Sequence, residues 1–165
     1  MKTLLSRIFG TITFLAVALW VGSLAHLMLS VGTLFSKFPK ASSDVAMQGA
    51  PALFNVSEPV HLALGIIAVV SSLMWKATSK SLGPIVISGL VVIGLIFAGI
   101  SIGIVTPQIN ALREAGMSSS DDFDFWHRTS TKLYMVQFIG VLGAVICLPW
   151  ALWSSLRTTP KADPA

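Results

Sequence analysis

The sequence predicts an all-α integral membrane protein, a four-helix bundle of up-down topology. Three observations predict it. Of the 165 residues, 54% are hydrophobic and only 11% charged, against about 25% charged in soluble domains, and the mean hydropathy is +0.80. The apolar residues fall into four runs, each near the ~20 residues that span the hydrocarbon as a helix. The polar residues lie between the runs, and the largest polar island occupies 107–132.

The first helix is placed at about 8–35. Lys2 and Arg7 ahead of an apolar run have the outline of a signal peptide, but signal h-regions are only ~7–15 residues long and this run is unbroken by charge. It is read as a retained transmembrane helix. Gly22, His26, Ser30 and Thr33 share one face of it, and a stripe of small and polar residues is expected to point into the bundle. A polar connection at 37–58 follows. The second helix is placed at about 56–76, with Pro59 either opening it or kinking a helix begun near Ala52. Trp75 and Lys76 mark its membrane interface.

Pro84 suits the first position of a third helix at about 84–106. Gly99 and Gly103 form a GxxxG pair there, a close-packing signal. At about 107–115 the pattern becomes amphipathic. This segment either carries the third helix past the membrane or bends at Pro107 to lie along the interface, and Gly116 offers a stop. Hydroxyls and carboxylates at 118–124 are suited to cap a fourth helix at about 125–156. Gly140, Gly143 and Ala144 give that helix a small-residue face, and 158–165 reads as a disordered tail.

Charge limits the partners. The formal charge is +4, yet the basic residues are scattered, which excludes a nucleic-acid surface and a polybasic lipid cluster. The expected partners are the lipid bilayer and a second copy or another membrane protein. With both termini cytoplasmic, Lys2, Arg7, Lys76, Lys80, Arg157 and Lys161 lie inside, against Lys37, Lys40, Arg113, Arg128 and Lys132 outside. The balance favours that orientation, in a bacterial inner membrane or its equivalent. Cys147, the single cysteine, lies in an apolar run and reads as a small buried side chain.

Four stretches carry a family resemblance: VALWVGSLAH, GTLFSKFP, TPQINALREAG and DFDFWHRTS. Together they resemble the transmembrane protein 205-like family, four-helix membrane proteins with a domain of unknown function. The resemblance places Trp20 and Gly22 in the first helix, Leu34 and Phe35 at its end, and Pro107, Leu112 and Arg113 after the third. It places Phe123, His127 and Ser130 at the opening of the fourth. Thr33 stands where the family pattern has proline, and His26 and His61 are outside the pattern. The resemblance implies fold and location, and no reaction.

No motif for nucleophilic, phosphoryl-transfer or paired-carboxylate chemistry is present. The expected role is therefore a non-catalytic membrane component whose polar outer cap, built from 37–58 and 107–132, meets partners or lipid headgroups. The first alternative is a haem b or copper site. His26, His61 and His127 approach one membrane side in an up-down bundle, and imidazole ligates both groups. Met28, Met47 and Met135 are possible soft ligands. No ligand spacing accompanies them, so His26 and His61 would clamp a haem only if both faced inward. A second alternative is a small solute channel or transporter, a homo-oligomer joined through Gly99 and Gly103.

Overall fold

A computed structural model describes residues 2–37 and 44–157. The middle of the first polar connection, with Lys40, and the tail at 158–165 lie outside them. The helices are α1 (Lys2–Lys37), α2 (Asp44–Thr78), α3 (Gly83–Ile100), α4 (Thr106–Glu114) and α5 (Asp121–Arg157), with a five-residue π-helical turn, Ser101–Val105, joining α3 to α4. Among the described residues four helical stretches are long and apolar enough to cross a membrane. The chain is a multi-pass, all-α membrane protein. α1 packs along α2, α2 against α3, α3 against α5, and α5 closes the ring against α1.

Every span is longer than expected, and the excess is greatest at one end. α2 has 35 residues, roughly 52 Å at ~1.5 Å per residue, where hydrocarbon needs only ~30 Å. It begins before Pro51 and runs through both Pro51 and Pro59. The surplus turns of α2, α4 and α5 gather at the end opposite the chain termini, where with the end of α1 they form the cap.

The core is built by large side chains fitted to glycine. Trp20 is fully buried. A Cβ placed on Gly65 of α2 would lie 2.8 Å from its ring, and one on Gly94 of α3 would lie 3.4 Å from it. Along α1 the buried face is Thr13, Ala16, Val17, Trp20, Leu24 and Leu27. The stripe of Gly22, His26 and Thr33 therefore faces outward, with Ser30 half-buried, contrary to expectation. The reason is packing. Lipid tails are as apolar as leucine, so van der Waals fit selects the inward face, and the tryptophan fills the notches of two neighbours where the small stripe would leave voids.

The same competition turns Gly99 and Gly103 outward, with nothing within 4 Å of an added Cβ on either. Close approach of α3 to α5 instead uses the buried Gly94, where an added Cβ would lie 2.9 Å from Val141 of α5. On α5, Ala144 is fully buried, and a Cβ on Gly140 would lie 3.6 Å from the carbonyl oxygen of Leu90. Trp75, expected at the interface, is a core residue beneath Gly10. Trp150 and Trp153 are the exposed tryptophans of that end.

Hydroxyl pairs link the helices. Thr13 donates to Ser71 at 2.9 Å and Ser88 to Ser72 at 2.8 Å, each also bonded along its own helix to a backbone carbonyl four residues earlier. At the terminal end Ser81 and Ser154 share a 2.5 Å hydrogen bond, and Gly83 N–H donates to the Ser81 hydroxyl.

Candidate functional site: the cap cleft

Local sequence sets the cap. Pro107 has no N–H to offer, and its ring crowds the carbonyl four residues earlier, so the helix widens ahead of it. Thr106 N–H donates to Ser101 O, five residues back, and the chain continues without a loop into α4. The third helix thus projects, rather than bending at Pro107 to lie flat. Gly116 (φ 71) ends α4. Gly116 N–H donates to Arg113 O and Met117 N–H to Leu112 O, the paired bonds of a Schellman stop. The fourth membrane helix starts earlier than expected because Ser120 caps it: its hydroxyl accepts from Phe123 N–H at 3.2 Å.

Between α1, α2, α4 and α5 the cap encloses a mostly apolar cleft of about 640 Å³. Leu27, Val31, Phe54 and Met135 are among its apolar walls, and Asn110, Arg113, His127 and Ser130 among its polar groups. Exposed lining residues come from α1 (Gly32, Phe35) and α5 (His127, Thr131, Met135), so the cleft is open.

Arg113 is half-buried at this cleft. Its Nη1 donates to Asn110 Oδ1 at 3.1 Å, and its guanidinium carbon lies 5.8 Å from the centre of the Phe123 ring, a cation–π contact. Its Nε is buried with no acceptor among the described residues. Among the described residues no carboxylate pairs with it; Asp124 bonds Arg128 at 3.4 Å on the outer surface.

Beneath the cleft lies a polar cluster that sequence reasoning left in the outer loop. Glu58 is 5% exposed. Its Oε1 accepts from Thr106 Oγ1 at 2.6 Å and from Tyr134 Oη at 2.9 Å, so one carboxyl oxygen ties α2 to α4 and α5. The missed signal was the spacing of Glu58 to His61, three residues, which puts both on the inward face once Pro59 is allowed inside a helix.

The three histidines have different settings. His61 is 1% exposed and shares a 3.0 Å hydrogen bond with Ser23 of α1 through Nε2. His26 faces outward, its Nε2 3.5 Å from Ser30 on its own helix. His127 is exposed at the cleft and stacks on Phe123 at 6.1 Å between ring centres. The inward orientation that a clamp between His26 and His61 needs is met by His61 only. Among the described residues no three His, Cys, Asp or Glu side chains gather at one point.

The family-motif residues divide between core and cleft. Trp20 is core, Gly22 and Pro107 face outward, and Leu112 is half-buried on α4. Phe35, Arg113, Phe123, His127 and Ser130 all line the cleft. Comparison of the chain with protein-family models, curated proteins and solved structures finds no match. Fold and hydropathy thus define the class, a four-span helical membrane protein with an amphipathic cleft in its cap.

Proposed function

We propose that the protein is a non-catalytic component of a bacterial inner membrane or its equivalent, with both termini in the cytoplasm and a cap that engages lipid headgroups. The observation that carries this reading is the cleft itself. It pairs apolar walls with Arg113, Asn110, His127 and Ser130 where the helices outrun the hydrocarbon. Taking ~30 Å of hydrocarbon as ~20 helical residues, a span ending near Trp153 begins near Leu133, so the polar rim lies at headgroup level. The shared motif residues Phe35, Arg113, Phe123, His127 and Ser130 support membership of the transmembrane protein 205-like family, since they meet at this cleft.

Native mass spectrometry of the full chain released from nanodiscs of phosphatidylcholine and phosphatidylglycerol tests the proposal. Retained phosphatidylglycerol is expected, reduced in the variant Arg113→Gln/Arg128→Gln/Lys132→Gln and unchanged in Lys80→Gln at the opposite end. Release without lipid, or equal retention by all variants, refutes it. Tags on the two termini should both report the cytoplasm.

A further inference from the structure

We propose that the cap cleft binds a single-chain aliphatic carboxylate of the fatty-acid class, with its head on Arg113 and its chain against Leu27, Val31, Phe54 and Met135. This inference rests on the placement of the polar rim at headgroup level in that reading and specifies a ligand for the cleft.

Size comes first. A cleft of about 640 Å³ falls within the ~300–1,000 Å³ of small-molecule sites, room for one aliphatic chain rather than the two of a phospholipid. Lining chemistry comes second. Most of the wall is apolar, and such a wall at the membrane boundary gains by exchanging water for hydrocarbon.

Charge fixes the head. Among the described residues, Arg113 is the one Lys or Arg lining the cleft, and no Asp or Glu lines it. Nε of Arg113 is buried without an acceptor, while Nη1 is already turned to Asn110. A guanidinium offers parallel N–H groups that match a carboxylate in a forked pair, and Arg113 lines the cleft with no carboxylate partner among the described residues. One fixed cation balances one unit of negative charge. A phosphate monoester carries about −1.5 to −2 and would leave a surplus in a largely apolar site.

Position orients the ligand. Glu58 lies behind Tyr134 and Thr106, both of which donate to it, so the inner end of the cleft is closed to a second carboxylate. Arg113 is seven residues further along the same helical run than Thr106, roughly 10 Å at ~1.5 Å per residue. The head therefore sits at the rim and the chain extends inward.

The test is photolabelling of the full chain in phosphatidylcholine nanodiscs with a diazirine-bearing palmitate, mapped by mass spectrometry. Labels are expected to concentrate on cleft residues such as Val31 and Met135, and to be displaced by dodecanoate but not by dodecanol. Arg113→Gln should cut labelling at least about tenfold, the effect of losing a charge-assisted bond. Arg113→Lys should retain part of it. Gly32→Leu, at a site with nothing within 4 Å of an added Cβ, should obstruct the cleft while leaving Arg113 intact, so the inference does not depend on how Arg113→Gln folds. Lys80→Gln should label as wild type, and circular dichroism checks the helicity of each variant.

Labels spread evenly over outward residues such as Leu19, Ile67 and Ile146 would overturn the inference. So would wild-type labelling of both Arg113→Gln and Gly32→Leu, or displacement by lysophosphatidate where dodecanoate has no effect. Phospholipid retention without cleft labelling overturns this inference and leaves the headgroup-engaging cap standing. Cleft labelling without phospholipid retention does the reverse.

Discussion

Tyr134 Oη donates to Glu58 Oε1 at 2.9 Å across 76 residues of sequence, and Thr106 Oγ1 donates to the same oxygen at 2.6 Å. Removing one donor leaves a buried carboxyl group short of a partner. Tyr134→Phe is expected to destabilise the protein by about 1–3 kcal/mol, read as a lower unfolding midpoint in detergent. A double-mutant cycle with Glu58→Gln should give a coupling above the ~0.6 kcal/mol average of helix-to-helix hydrogen bonds in membranes. Equal midpoints for wild type and Tyr134→Phe would show that the bond contributes nothing.

Glycine positions should separate sharply. A Cβ on Gly83 would lie 2.5 Å from the Cα of Ala151, and one on Gly65 would lie 2.7 Å from Leu95 and 2.8 Å from Trp20. Gly83→Ala must move backbone and Gly65→Ala must displace a buried tryptophan, so each is expected to cost about 1–3 kcal/mol. Gly99→Ala and Gly103→Ala meet nothing within 4 Å, and should leave stability of the single chain within about 0.5 kcal/mol or raise it slightly. Thermal unfolding of the four variants tests the order.

The histidines should differ as their burial does. His61→Ala removes a buried ring and its bond to Ser23, with an expected loss of about 1–3 kcal/mol. His26→Ala removes an outward side chain with one 3.5 Å contact on its own helix, with an expected change within about 0.5 kcal/mol. The absorption spectrum of the purified protein supplies an independent check. A Soret band lost on His26→Ala would give that residue a ligand role for which its outward orientation offers no support.

The Arg128–Asp124 pair is 76% and 65% exposed. Its removal by Arg128→Gln should change stability by less than about 1 kcal/mol, and the small effect should vanish at high salt. A larger loss would mean that these side chains are covered in the membrane.

Much of the architecture was legible because hydropathy reports on solvent. Four apolar runs in a medium that cannot bond to the backbone must become helices, and the glycine stop at Gly116 and the cap near Ser120 follow from local chemistry. Rotation of each helix was harder to read. Hydropathy is nearly uniform around a membrane helix, so whether His26 or Trp20 faces inward depends on notches in α2 and α3 that one helix's sequence does not display. Glu58 was missed for a related reason. A proline beside it looked like a boundary, but an internal proline is tolerated in a membrane helix where neighbours and side chains take over the freed backbone groups. The cleft required both facts together with the projection of α4, although Arg113, Phe123 and His127 were already singled out by resemblance.

The wide turn at Ser101–Val105 sets the phase of everything beyond it. A helix advances by ~100° per residue, so the additional residue held there rotates the whole of α4 by that angle against α3. Deleting one residue from the turn would leave a hydrophobic run of nearly the same length, still able to cross the bilayer, while carrying the Arg113 guanidinium away from the rim. The direction in which this cap is aimed is therefore encoded by counting, and a frame-preserving loss of one codon would re-aim it without altering any side chain that touches the cleft.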